Sequence, residues 1–408
     1  MKTRVDPGLF GIPIHEIRIG YRSAVYFQRA KRILEKDYHH PVITEQVFQK
    51  NDNVIICGVD EAVAVIRHCA GFYSDYDRAG LLFNRYLGAE NRLHEAELNR
   101  DPDQIQKLKG ERSELAAHLD QLWVDKSSEI EVKALRDGDP ISSYETVMLI
   151  EGDYSYFAHL ESIYLGILAR RTRLATNSRK VVQAAAGKPV MFFADRFDHH
   201  ANQSGDGYAA KIGGIDGVAS DAMVAWFDEK GIGTIPHALI VAYGGDTVLA
   251  TRKFQQYVPD VPVISLVDFE NDCVRTSLES ARALGEKLWG VRLDTARDLI
   301  DHSIEDEEGI SEEDRYGVSP ALVEKTRSAL DKEGFNHVKI IVSGGFNPDR
   351  IHHFEELKTP VDIYAVGSWM VSGRYEFTAD AVRLNGKNLA KVGREYQPNP
   401  RLQNVEFE

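Results

Sequence analysis

Between about residues 181 and 370, short apolar runs alternate with amphipathic helical stretches, and that alternation constrains the fold more than any other feature of the chain. The runs are PVMFF (189–193), HALIVA (237–242), PVISLVD (262–268), WGVRLD (289–294), VKIIVSGG (338–345) and VDIYAVG (361–367). Each is apolar almost throughout, so each reads as a strand needing cover on both faces. Helical patterns such as 278–288 and 320–333 lie between them and supply that cover. Several strand–helix units in succession predict an irregular parallel α/β barrel, closed or nearly so; an open doubly wound sheet is the other topology with this pattern.

The rest of the 408 residues leaves room for one or two further domains. Residues 10–72 mix a helical stretch (23–34) with a short apolar run, NVIICGVD (53–60). In 74–130, Leu108, Leu115, Leu119 and Leu122 recur at helical steps among dense charge, and Asn99-Arg100-Asp101-Pro102-Asp103 is a turn signal. This predicts a charged helical hairpin projecting as a solvated protrusion or a subunit contact. A net charge of −14 argues against nucleic acid or an anionic membrane as partner, so an anionic ligand would need a local basic pocket. Cys57, Cys69 and Cys273 form no CxxC pair, which argues against disulfides and a cysteine zinc site. The start, MKTRVDPGLFGIP, has no apolar core of a signal peptide, and no apolar run reaches the length of a membrane span. A reducing cytoplasm is the expected location.

Most of the barrel runs end in polar residues. PVMFF leads into Ala194-Asp195-Arg196, WGVRL into Asp294-Thr295, VKIIV into Ser343-Gly344-Gly345 and VDIYAV into Gly367-Ser368, while Gly233-Thr234 and His237 precede or open HALIVA. Loops at the carboxyl ends of barrel strands converge on a ligand, so fold and residue chemistry point to one face. The turns Ser343-Gly344-Gly345 and Gly367-Ser368 follow the last two strands, the usual phosphate position, and glycine lets backbone N–H groups approach an anion closely. Arg292 and Asp294 stand two apart and share a face. They form either a structural ion pair or a working pair, with Asp294 on ribose hydroxyls or Mg2+ and Arg292 on an anion. His237 is either structural or, as a neutral imidazole, a nucleophile or acid/base. His199-His200 and His352-His353 point apart in extended chain without carboxylates at ligand spacing, so no metal site is expected of them.

In order along the chain, IEGDYSYFAHLESIYLGILARRTRLAT (150–176), FFADR (192–196), IGGIDGVAS (212–220), GTIPHALI (233–240), VRLDT (291–295), VSGG (342–345) and AVGS (365–368) resemble nicotinate phosphoribosyltransferase in its short archaeal and bacterial form, over roughly 10–72 and 134–375. The resemblance implies an N-terminal α/β domain (1–73 and 131–180), an α/β barrel (181–375) and a C-terminal segment (376–408) returning to the small domain. Residues 74–130 then form an inserted hairpin. It also implies a homodimer or higher homo-oligomer with sites at the subunit interface. The substrates would be nicotinate and 5-phosphoribosyl-1-pyrophosphate, the products nicotinate mononucleotide and pyrophosphate in NAD salvage, with Mg2+ as cofactor and ATP as co-substrate through a phosphorylated histidine. Carried over by motif, Tyr26 stacks on the pyridine ring in the partner subunit's site and Phe193 covers the other face. Arg196 and Arg292 line the base and ribosyl-phosphate pocket, Asp216 lies by the base and Asp294 holds the ribose. His237 matches the phosphorylated histidine, and Ser343, Gly344, Gly345, Gly367 and Ser368 match the cradle for the 5-phosphate. The chain has Ser23-Ala24 where the family has Thr-Asp, Phe197 where it has His, Glu161-Ser162 for Glu-Thr and Ala365-Val366-Gly367-Ser368 for Gly-Val-Gly-Thr.

Loss of pyrophosphate from C1 leaves an oxocarbenium-like ribose, which a carboxylate and firm phosphate anchors stabilise; the pyridine nitrogen is already a nucleophile. An aromatic sandwich would align that nitrogen with C1. The alternatives are nicotinamide or quinolinate as the base, a phosphosugar isomerase or aldolase, and a sensor binding phosphoribosyl pyrophosphate without turnover. An aldolase wants a lysine at a strand's carboxyl end, whereas Lys339 opens its strand. The acidic stretch DHSIEDEEGISEED (301–314) reads as a solvated loop.

Overall fold

The computed structural model describes residues 4–406 apart from Asp228 and the side chain of Glu313. The first three residues of the N-terminal stretch read for a signal peptide, and the last two of 376–408, lie outside them. The chain divides into two compact units, 1–172 with 374–408, and 173–373.

The first unit is built on a six-stranded sheet in which Val42–Gln49 pairs antiparallel with Phe377–Leu384 on one side and Met148–Asp153 on the other. The run NVIICGVD is only in part a strand. Val54–Ile55 is extended, and the chain then turns through Gly58 (φ 92°) into the helix Val59–Cys69. A Cβ at Gly58 would meet Arg171 Cγ at 2.9 Å, so glycine serves both the turn and the close approach. The charged region forms two helices, Tyr76–Leu98 and Pro102–Leu122, started by Asp75 on the Arg78 amide and Asp101 on the Gln104 amide. Such caps contribute about 1 kcal/mol each. The base of this hairpin is bolted down: Arg18 donates to Asp120 Oδ1 at 2.8 Å and lies 4.8 Å from the Trp123 ring centroid. Tyr21 tilts against Phe83, and Ile19 joins Tyr73, Ala79, Phe83 and Leu119 in one apolar cluster. Near the tip, Leu93, Ala96, Leu108 and Ile105 form a cluster drawn from the hairpin alone.

The second unit runs β1 (Val190–Phe192), α1 (Gln203–Gly213), β2 (Gly217–Val218), α2 (His237–Ala242), α3 (Thr247–Tyr257), β3 (Val263–Leu266), α4 (Cys273–Leu284), β4 (Leu288–Leu293), α5 (Pro320–Lys332), β5 (Lys339–Val342), α6 (Pro348–Glu356) and β6 (Ile363–Val366). The strands lie parallel in the order β3-β4-β5-β6-β1-β2, as a curled sheet that makes a half-barrel. Ile264, Ile341, Ile363 and Ala365 share one face with Met191 and Phe193. Alternate residues Val342, Tyr364, Val366 and Phe192 are fully buried on the other. Each buried aliphatic side chain contributes roughly 1.5–3 kcal/mol, and the period of two makes both faces apolar. A satisfied hydroxyl chain, Thr251 to Ser265 to Ser280 at 3.0 and 2.9 Å, ties α3, β3 and α4 together. Register aligns Leu266 with Arg292, Leu293 with Val342 and Val366 with Phe192, so the strands' carboxyl ends finish at one level.

HALIVA is the helix α2 and not a strand: only Ile240 of the run is buried, and Val241 is 62% exposed. A strand inside a covered parallel sheet would bury nearly every residue, and Pro236 stands at the N-cap of this helix. The acidic loop is also more than solvated. Asp301 is fully buried, accepting from the Cys273 amide at 3.0 Å and the Ser303 amide at 3.0 Å, while Arg315 reaches back to the Glu307 carbonyl at 2.9 Å.

Candidate active site

Arg292 and Asp294 sit at the end of β4, where sheet register puts them beside the ends of β3 and β5. Every arm of the Arg292 guanidinium is engaged. Nε donates to Ser343 Oγ at 2.9 Å, Nη1 to Thr234 Oγ1 at 3.0 Å and Nη2 to Asp294 Oδ2 at 2.8 Å. Ser343 Oγ in turn donates to Asp294 Oδ1 at 2.7 Å. Both carboxylate oxygens are therefore held, and the Asp294 charge is fixed in direction. The guanidinium also lies 5.6 Å from the Phe193 ring centroid, which brings the end of β1 to the same knot. The ion pair foreseen as one reading of Arg292 and Asp294 is present at a partly open edge, with side-chain exposures of 18% and 22%.

His237 opens α2, and its Nε2 lies 3.0 Å from Asp268 Oδ2 and 3.1 Å from Oδ1. Asp268 stands two residues past the end of β3 and is nearly buried, whereas the imidazole is exposed. Burial pushes the Asp268 carboxyl above its ordinary range, His237 pulls it back, and the charge of Asp294 pushes it up again. Asp268 is the last letter of PVISLVD in the sequence, and the signal that marks it is positional: it stands just past its strand, one residue further along than Asp294 past β4.

After β5 the chain takes two consecutive left-handed residues, Gly344 (φ 90°) and Gly345 (φ 76°), before Asn347 caps α6 through the Arg350 amide at 2.8 Å. Only glycine adopts that pair without strain. A two-glycine turn running into a helix N-terminus is an arrangement that suits an anion, which backbone N–H groups and the helix dipole can then meet. Arg297 rests on Gly345 and donates to its carbonyl, and Arg350 donates to the Gly344 carbonyl at 2.8 Å. Neither arginine was singled out in the sequence. After β6, Gly367 is packed so closely that a Cβ would meet Phe197 Cε2 at 2.6 Å and the Phe193 carbonyl at 2.8 Å, and exposed Ser368 begins a short 3-10 turn.

The remaining expected residues are spread more widely. Arg196 is exposed beyond β1, 5.4 Å from the Phe197 ring centroid, with no carboxylate partner among the described residues. Asp216 is not brought to this edge, which corrects its placement by the base. It precedes β2, its carboxylate accepts from the Val190 amide at 2.8 Å, and it thus latches the amino ends of β1 and β2. Asp362 does the same for Ile340 at 2.8 Å. Tyr26 belongs to the first unit, on the helix Val25–Lys36, 64% exposed and tilted against Phe27 at 4.1 Å. Among the described residues no group of three or more His, Cys, Asp and Glu side chains is placed to hold a metal ion.

Residues 174–376, almost the whole second unit, match the family model of the quinolinate phosphoribosyl transferase C-terminal domain. A nicotinate phosphoribosyltransferase of Mycobacterium tuberculosis is 26% identical over 241 residues, 58% of this chain and 49% of that protein. The chain thus spans about half the length of that curated relative. Among solved structures, nicotinate-nucleotide pyrophosphorylase from Pyrococcus furiosus is 27% identical with a TM-score of 0.70, covering 97% of this chain and 85% of its own. Human nicotinic acid phosphoribosyltransferase shares the fold, at 14% identity and a TM-score of 0.63 over 92% of this chain and 77% of its own. No helix among the described residues is long and apolar enough to cross a membrane.

Proposed function

We propose that the chain, whose residues 174–376 match the quinolinate phosphoribosyl transferase C-terminal domain and which is similar to nicotinate phosphoribosyltransferases, transfers 5-phosphoribosyl from phosphoribosyl pyrophosphate to the ring nitrogen of nicotinate, giving nicotinate mononucleotide and pyrophosphate in NAD salvage. The observation that supports this most is the fixed Asp294 carboxylate, held by Arg292 and Ser343 next to a two-glycine turn. The pyridine nitrogen lone pair attacks C1, the bond from C1 to the pyrophosphate oxygen breaks, and the electron pair leaves with pyrophosphate. No proton has to move. Asp294 faces the positive charge that develops on the ribose, and its two hydrogen bonds spare it reorganisation during the step. Phe193 offers one aromatic face for the base; in a homodimer Tyr26 of the other subunit offers the second.

Arg196, unpaired by any carboxylate among the described residues, suits the single carboxylate of nicotinate better than a neutral amide. The match to the quinolinate phosphoribosyl transferase domain favours quinolinate as the alternative base. Mg2+ suits the site only as an ion shared with the substrate, since one or two carboxylates plus phosphates are its usual ligands. Asp268 and Asp294 would hold it there, and when bound it neutralises charge on the departing pyrophosphate. For ATP coupling, Asp268 holds Nε2 of His237 as the donor, which leaves Nδ1 with its lone pair to accept the γ-phosphoryl group as ADP leaves.

The test is mass spectrometry of product from nicotinate, nicotinamide and quinolinate, each with phosphoribosyl pyrophosphate and Mg2+, with and without ATP. Nicotinate mononucleotide from nicotinate, faster with ATP, is expected. The same nucleotide from quinolinate alone, with release of CO2, moves the assignment to that base. No product from any of the three rules out the transferase reading.

A further inference from the structure

We propose that Arg297 is a substrate-binding residue that covers the phosphate cradle and pairs with the sugar phosphate seated in it. The inference rests on the phosphoribosyl reading of the same site. Arg297 lies beyond the end of β4, exposed, with its guanidinium on Gly345, and a Cβ at Gly345 would overlap that guanidinium. It pairs with no carboxylate among the described residues; its one hydrogen bond there goes to the Gly345 carbonyl. Arg350, in the first turn of α6, reaches back to the same turn. Its Nη1 donates to the Gly344 carbonyl at 2.8 Å, its Nη2 to the Val318 carbonyl at 2.6 Å, and its guanidinium lies 4.5 Å from the Phe346 ring centroid.

Two guanidinium groups thus flank one two-glycine turn. The acid that offsets Arg350 is Asp314, itself engaged by His353 Nε2 at 3.0 Å. Burial first, and then the like charge of Arg297, pull the Arg350 pKa down to about 10. Like charges left together unneutralised are unfavourable, and a phosphate dianion between them reverses the sign of that interaction. The two arginines differ in freedom. Arg350 is held by two carbonyls and an aromatic face, whereas Arg297 is exposed and held by one carbonyl that a charged oxygen readily outcompetes. Arg297 is therefore the group able to turn from the cradle wall to the ligand.

The probe is ribose 5-phosphate, which carries the phosphate without the leaving group and so binds without turnover. Its affinity is measured by calorimetry for the full chain, R297Q and R297K, alongside KM for phosphoribosyl pyrophosphate and for the base. R297Q is expected to weaken ribose 5-phosphate at least tenfold and to raise KM for phosphoribosyl pyrophosphate similarly. KM for the base and the unliganded melting temperature should stay unchanged, and R297K should recover part of the loss. Equal affinity in wild type and R297Q overturns the role of Arg297. No binding by the wild type overturns the phosphate cradle with it. Binding that R297Q weakens, without transfer to any base, upholds Arg297 and overturns the transferase reading alone.

Discussion

Asp294 has both oxygens engaged, one by Arg292 and one by Ser343, so replacing it removes charge and direction together. Asp294→Asn should lower kcat by about 100-fold, within the range for losing a preorganised electrostatic group. The melting temperature should fall only modestly, because both side chains of the pair are partly solvated. A loss under fivefold in steady-state assays would remove Asp294 from the reaction centre. His237→Ala should abolish ATP stimulation while slow transfer persists; ATP stimulation that survives the change dismisses His237 from that role. Asp216 makes the contrasting prediction. Asp216→Ala strands the Val190 amide and should destabilise the chain by about 1–2 kcal/mol in denaturant melts, with KM for the base unmoved. Both aspartates end or precede apolar runs, and one sequence does not reveal whether a side chain at such a border faces a ligand or its own backbone.

The turn after β5 acts as one element with α6. Gly344 has φ 90°, and a side chain there would also stand 3.4 Å from Asp294 Oδ1. Gly344→Ala should therefore cost about 1–2 kcal/mol of stability and weaken phosphate binding more than base binding, as titration with ribose 5-phosphate and nicotinate would reveal. The strands of the second unit were legible because each carries a solid run of buried residues, as in Ile340, Ile341 and Val342. HALIVA looks like one of them but is a helix, since five apolar residues after a histidine fit one and a half helical turns as well as a strand. What distinguishes it is burial of Ile240 alone, a tertiary fact. The Ser343-Gly344-Gly345 turn was legible from chemistry because two glycines in sequence are rarely interchangeable with other residues. Arg297 and Arg350 were not, because an arginine beyond a strand is usually a solvated charge and only the folded turn brings these two to one point.

At the scale of the whole molecule, acidity acts on a pair of neighbouring carboxyls in the first unit. Glu45 is buried on the inner strand Val42–Gln49 and accepts from Tyr164 Oη at 2.6 Å. Burial pushes its carboxyl up to about 7, and burial with the neighbouring Glu45 pushes Glu161 up to about 8. The folded state therefore favours the protonated acids. Their contribution is fully present below the ordinary pKa of 4.5 and is lost as pH rises through about 7 to 8. The melting temperature should fall by roughly 2–4 °C between pH 6 and 8.5, which corresponds to about 1 kcal/mol in a unit of this size. Glu45→Gln should flatten most of that slope in calorimetry, and an unchanged slope would assign it to other groups. The helical hairpin carries a different consequence. At 1.5 Å per residue, the 23 residues of its first helix span roughly 34 Å, with a packed base and a tip cluster of its own. A dye or fusion inserted at Asn99–Asp101 would ride on a built-in ruler, one helix length from the packed base of its own unit.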